Sequence, residues 1–209
     1  MPQRRMFLIL GLFALLAGCS PASPATTPAA PSASPSTSVS TSTTPSPAKP
    51  TPTTPVLPDA TGALDVSSHE LSAFASPSGA IWCAVSTKGA WCHFPADFKG
   101  KIPSSKKICP EEMLDVTGIA VTDTVSYFCS GDPTAFPSTE NVGGDIDWWQ
   151  GTGYPKVKYN GFTVVTLPYG KKMAAGSFVC LSAKNGVTCA NTDAGIGFRM
   201  ARAGVTTLP

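Results

Sequence analysis

The chain has 209 residues, with 15 basic and 13 acidic side chains and a formal charge of +2. Charged residues make up 13%, against ~25% in globular proteins generally, while proline (21) and glycine (19) are abundant. That composition excludes a coiled coil, a helical bundle and a nucleic-acid binder with a basic face.

Arg4 and Arg5 form a positive n-region, and residues 7–17 an apolar run. The run is too short for a hydrocarbon core of ~30 Å, which takes ~20 residues. It fits the h-region of a secretory signal. It ends in Leu16-Ala17-Gly18-Cys19, which resembles the bacterial lipobox. The resemblance implies diacylation of Cys19 and cleavage before it, so that residues 1–18 are a lipoprotein signal peptide. It places the chain at the cell membrane, lipid-anchored, with its domain on the extracytoplasmic face. Two acyl chains supply the dual signal that stable anchoring needs. The other reading is an ordinary secretory signal with a coincidental cysteine. Arg4-Arg5-Met6-Phe7-Leu8 also looks like a twin-arginine motif, but a plain basic n-region explains it as well.

Residues 19–58 differ in composition. From Ser20 to Pro58 there are 18 Ser/Thr, 11 Pro and 6 Ala, one charge (Lys49) and no aromatic residue. Such a segment cannot bury enough apolar surface to offset chain entropy, and is expected to be a disordered stalk. Its prolines favour extended polyproline II, with a reach of up to ~120 Å at ~3.1 Å per residue. Ser/Thr beside Pro is also the composition of O-glycosylated stalks.

Residues 59–209 remain as one domain, long enough for a real core. Without Arg4, Arg5 and Lys49 it holds 12 basic and 13 acidic residues, a net of −1. No electrostatic case for nucleic acid survives.

Six cysteines lie in this domain, and an even number in an exported domain reads as disulfides. Cys83-Ala-Val-Ser-Thr-Lys-Gly-Ala-Trp-Cys92 and Cys180-Leu-Ser-Ala-Lys-Asn-Gly-Val-Thr-Cys189 have equal length. Each has glycine six residues after its first cysteine (Gly89, Gly186) and four before it (Gly79, Gly176). A large apolar residue stands two before it (Ile81, Phe178). The pattern predicts one β-hairpin used twice, reversed at Lys88-Gly89 and Asn185-Gly186, with the cysteines brought together across the strands. The predicted bridges are Cys83–Cys92 and Cys180–Cys189, leaving Cys109–Cys129. The alternative cross-links the two hairpins to each other. No Cys-x₂-Cys pair is present, so no metal site is expected.

The rest reads as short strands. Residues 124–129 alternate, with Val125, Tyr127 and Cys129 on one face. Residues 162–167 are β-branched and apolar, after an Asn160-Gly161 turn signal. Residues 198–205 suit a closing strand, and 111–114 a single helical turn after Pro110. Residues 131–153, with five glycines and no period, read as a long loop. The expected fold class is mainly β: a small disulfide-stapled antiparallel domain with two similar Cys-bridged hairpins, long loops and little helix.

Several motifs carry a family resemblance. They are Ser76-Pro77-Ser78-Gly79-Ala80-Ile81-Trp82-Cys83, Leu167-Pro168-Tyr169-Gly170, Phe178-Val179-Cys180, Gly186-Val187-Thr188-Cys189-Ala190-Asn191 and Gly195-Ile196-Gly197-Phe198. Together they resemble an uncharacterised domain of unknown function in secreted proteins and lipoproteins of actinobacteria. Ile196 departs from the polar residue common there. The resemblance implies location and fold class, and no catalytic residue.

The residues with chemistry are few. His93 follows Cys92, which suggests a Cys-His nucleophile, but a disulfide cysteine beside a strand-end histidine is the plainer account. Ser104-Ser105-Lys106-Lys107 has the Ser-x-x-Lys spacing of penicillin-interacting acylases, but Pro103 and Cys109 suggest a basic loop. Asp145 and Asp147 could serve a glycosidase or bind calcium, although paired aspartates near glycines are usually solvated turn residues. Trp148, Trp149 and Tyr154, with Asp145 and Asp147, form the candidate ligand site. Aromatic rings in a Gly-rich loop suit a sugar-stacking platform. The competing account makes the tryptophans core plugs, both pointing inward only if the chain bends.

The functional expectation is a membrane-anchored envelope lipoprotein, not an enzyme and without a cofactor. Its domain would be a binding or scaffolding module at the cell surface or wall. Its partners would be the membrane through Cys19 and either a cell-wall glycan or another envelope protein. The alternatives are a glycan hydrolase using Asp145 or Asp147, and a purely structural lipoprotein.

Overall fold

Each cysteine hairpin is the centre of a five-stranded antiparallel meander, and the two meanders lie face to face. The computed structural model describes residues 56–111, 113–140 and 147–209. The signal, Cys19 and most of the stalk lie outside the described residues, as does Asp145.

The first meander runs β2 (Ser72–Ala75), β3 (Trp82–Ser86), β4 (Gly89–His93), β5 (Val116–Val121), β6 (Val125–Cys129), in that spatial order. The second runs β9 (Lys172–Ala175), β10 (Phe178–Ala183), β11 (Gly186–Asn191), β12 (Ile196–Ala201), β13 (Gly204–Leu208). A two-residue strand, β1 (Leu64–Asp65), adds to β9 in parallel. A separate hairpin, β7 (Lys156–Tyr159) with β8 (Phe162–Val165), and a four-residue helix, α1 (Ser105–Ile108), complete the described elements apart from a 3₁₀ turn at Asp147–Trp149.

The pairing is the expected one. Cys83 lies directly opposite Cys92 and Cys180 opposite Cys189, with Cα atoms 4.0 and 4.1 Å apart. That closeness marks the non-hydrogen-bonded antiparallel pair, where side chains approach best. Cys109 bridges Cys129. Because opposed residues share a face, each disulfide extends into an inward row across its sheet. One row is Phe74, Cys83, Cys92, Ile119, and the other is Met173, Cys180, Cys189, Phe198. All eight side chains are fully buried. Burying a side chain the size of Phe, Met or Ile is worth ~1.5–3 kcal/mol. The rows meet in the middle, where Cys92 Sγ lies 4.0 Å from Cys189 Sγ. Around that contact β3 faces β10, β4 faces β11 and β5 faces β12.

Gly118 and Gly197 hold equivalent places in β5 and β12, one residue before the inward Ile119 and Phe198. A Cβ on Gly118 would run into the Cys92 carbonyl, and one on Gly197 into the Cys189 carbonyl. The fourth strand of each meander can therefore close on the cysteine strand only with glycine there.

Several expectations need correction. Gly89 and Gly186 head the strands β4 and β11, paired with Ser86 and Ala183; the reversals are made by Thr87-Lys88 and Lys184-Asn185. The glycines are needed because the next strand crowds them. A Cβ on Gly89 would meet the Val121 carbonyl at 3.1 Å, and one on Gly186 would collide with that of Met200. The single closing strand over 198–205 is two strands, since the chain reverses between Ala201 and Gly204 (φ +154°). The helical turn precedes Pro110: α1 starts after Ser104 and ends before Cys109, because a residue preceding proline is disfavoured in the helical region. The described stretch 131–140 of the long loop is not featureless. Ala135 packs with Ala84 and Ala73, Trp91 Nε1–H donates to the Thr134 carbonyl at 3.5 Å, and Ser138 bridges to Val164. The loop and the β7–β8 hairpin thus cover the outer face of the first sheet. Among the described residues no helix is long and apolar enough to cross a membrane.

Replacing both Cys180 and Cys189 by alanine should cost ~3 kcal/mol through loop entropy alone, for a closed loop of about ten residues. The emptied core should add to this. A denaturant midpoint that does not fall would show that the staple contributes nothing.

Candidate functional site

The aromatic loop does not form a platform. Trp148 is 4% exposed, belongs to the core and donates its Nε1–H to the Ala73 carbonyl at 2.8 Å. Tyr154 meets it edge-on at 5.8 Å and is itself packed against the core. Trp149 is half-buried, and Lys156 Nζ sits 4.0 Å from its ring centroid. The physical reason is the bend: residues 147–149 form a 3₁₀ turn, so adjacent tryptophans both reach the core instead of facing opposite ways. The rings a sugar would stack on are covered. Asp147 begins this turn, with a buried Oδ1 that has no hydrogen-bond partner among the described residues. Asp145 is outside the described residues, so the pair has no geometry to set against a glycosidase.

His93 is nine-tenths buried at the end of β4. Its Nε2 accepts the Thr134 N–H at 2.9 Å and lies 3.0 Å from the Thr134 hydroxyl. Nε2 as acceptor leaves the ring proton on Nδ1, the neutral tautomer. Burial lowers the imidazole pKa, and a backbone hydrogen bond at Thr117 opposes this more weakly. Cys92 is in a disulfide, so no Cys-His nucleophile exists. The histidine instead pins the 131–140 loop to the first sheet.

Beside it opens a pocket of about 360 Å³. Its walls are mainly apolar: Trp82 from β3, Phe94, Ile102, Val116 from β5 and Tyr159 at the end of β7. Asn160, with φ +49°, turns the chain at its rim. The Ser-Pro-Ser-Gly turn sets two of these walls. Trp82 Nε1–H donates to the Gly79 carbonyl at 2.7 Å, which fixes the indole. Gly79 has φ +77°, and a Cβ on it would lie 2.8 Å from Tyr159 Cβ. The turn glycine is therefore also what admits Tyr159. Behind the pocket the rings continue, with Phe136 5.1 Å from Trp82 and Phe162 4.9 Å from Phe136.

Such a cavity falls at the small end of ligand-binding sizes, ~300–1,000 Å³. His93 Nε2 is already bonded to Thr134, and the rest of the wall is apolar, amide or hydroxyl. The arrangement suits uptake of an apolar group better than proton transfer. Of these positions only His93 stood out as chemistry in the sequence. One signal was available: Trp82 alternates with the inward Cys83, so it had to lie on the outer face. Comparison with known protein families, curated proteins and solved structures gives no match for the chain.

The lowered pKa of His93 has a direction in stability. The unfolded imidazole titrates near ~6.5 and the folded one below that. Between the two values the unfolded chain binds more protons, so stability is complete above ~6.5 and is lost as pH falls toward the folded pKa. The melting temperature should drop between pH 7 and 5, and His93→Gln should flatten that drop. Parallel profiles for the two proteins would place the acid sensitivity elsewhere.

Proposed function

We propose that the chain is a lipid-anchored binding module on the outer face of the cell membrane, non-enzymatic, that holds an apolar group in the pocket between Trp82, Phe94, Ile102 and Tyr159. The observation that carries this reading is the pocket itself, apolar-walled and with the Nε2 of its one histidine held by Thr134. Location rests on the sequence from Arg4 to Cys19 and on three disulfides, which persist in oxidising compartments. In this reading residues 19–58 hold the module away from the bilayer, toward wall glycan or another envelope protein.

The hydrolase reading keeps one specific observation in its favour, the buried Oδ1 of Asp147, which has no partner among the described residues. An Asp147→Asn protein that turns over a wall glycan as slowly as buffer, beside an active parent, would establish it.

Anchoring is tested by fractionation. The parent chain should sediment with membranes and the Cys19→Ser chain should appear in the medium; membrane retention of Cys19→Ser would remove the acyl anchor. Binding is tested on the soluble full chain carrying Cys19→Ser, with the neutral fluorophore N-phenyl-1-naphthylamine. Enhancement should saturate, and Trp82→Ala or Ile102→Arg should weaken it at least ~10-fold, the equivalent of ~1.4 kcal/mol. Ile102 is 47% exposed, so its substitution leaves the core intact. Unchanged titrations in both variants would reject the pocket.

A further inference from the structure

The turn Ser76–Ile81 has a second, different pocket on its other side, of about 240 Å³. Its lining comes from four turns far apart in the chain: Ser76 and Ser78, Tyr169, Lys184 and Asn185, and Arg202. Three of these turns are among the motifs singled out in the sequence, Ser-Pro-Ser-Gly, Leu-Pro-Tyr-Gly and Lys-Asn-Gly, and none of those motifs has any part in the apolar pocket except the first.

The hydrogen bonding leaves an excess of donors. Ser76 Oγ accepts the Ile81 N–H at 3.2 Å and Ser78 Oγ accepts that of Ala80 at 3.4 Å. The two hydroxyls lie 3.1 Å apart, so one donates to the other. Whichever way that bond runs, one hydroxyl proton has no acceptor among the described residues. Lys184 has no carboxylate partner among them. Arg202 places its Nε 3.2 Å from an Asp97 carboxylate, which leaves the other guanidinium donors of the fork for a ligand. Asp97 is paired with Arg202 itself. Hydroxyl, ammonium and guanidinium donors converge, and no free carboxylate lines the pocket. At the rim Tyr169 is 44% exposed, an aromatic ring open to solvent beside those donors.

We infer that this pocket recognises a pyranose carrying an anionic group, carboxylate or phosphate. The sugar ring would lie on Tyr169, with its anion between Lys184 and Arg202 and its hydroxyls at Ser78 and Asn185. Charge-assisted bonds to an anion are roughly twice as strong as neutral ones, and Arg presents a fork to either oxyanion. A pocket below ~300 Å³ fits one ring and not a drug-sized ligand. An acidic peptide would use the cations but leave the exposed ring and the neutral donors unused, which favours the sugar. The site is independent of the apolar pocket, so each can fail without the other.

Calorimetry on the purified full chain tests this with four probes: trigalacturonate, mannose 6-phosphate, neutral galactotriose and triglutamate. One or both anionic sugars should bind at least ~5-fold more tightly than galactotriose and than triglutamate, and which of them does tells carboxylate from phosphate. Raising salt should weaken that binding. Tyr169→Ala and Lys184→Ala, both exposed turn positions checked by near-UV circular dichroism, should each reduce it at least ~5-fold. N-phenyl-1-naphthylamine binding should be unaffected in both. Equal affinity for galactotriose, equal or tighter binding of triglutamate, indifference to both substitutions, or no binding by any probe would each overturn the proposal.

Discussion

Two disulfides in van der Waals contact organise this protein. Each lies across a hairpin, and the two meet at Cys92 and Cys189, 4.0 Å apart between the sheets. A half-cystine is compact beside Phe or Met, and Phe74, Ile119, Met173 and Phe198 fill the space on either side. The glycine before Ile119 and the glycine before Phe198 answer to the cysteine strand beside them. A Cβ at either would run into the carbonyl of Cys92 or Cys189.

The two halves differ in what joins their strands. In the second half β11 passes to β12 through residues 192–195; in the first, β4 passes to β5 through 94–115. That longer excursion carries Phe94 and Ile102, and it is tied down by Cys109–Cys129 and by the ion pair of Asp97 with Arg202. The first half also has the longer turn between its first two strands, which supplies Gly79 for Tyr159 on one side and the serine hydroxyls on the other. The apolar pocket belongs to the half that has been elaborated, on its outward face, while the shared inward face is left to packing.

How much could be read in advance depended on the range of the interaction. The hairpin bridges were legible because cross-strand geometry is local: equal spacing between Cys83 and Cys92 and between Cys180 and Cys189 is enough to face them. Strand β6 was legible from the alternation of Val125, Tyr127 and Cys129. The break at Ala201–Gly204 was not, because only the pairing of β12 with β13 reveals the turn. Of the two readings of Trp148 and Trp149 the core one holds, at a bend that no period announces. Trp82, Tyr159, Lys184 and Arg202 come together from distant segments, and convergence of that kind leaves no spacing to count. The motifs did mark the right turns; what they could not tell is that three of those turns meet.

The equivalence of the halves has a consequence for how such a sequence can be stable at all. One five-stranded meander on its own has a single apolar face, and a chain of that size buries too little surface to hold it. Facing β3 with β10, β4 with β11 and β5 with β12 is the arrangement of an isologous pair, in which like meets like across a twofold axis. Here both partners are on one chain. Their association carries no dependence on concentration.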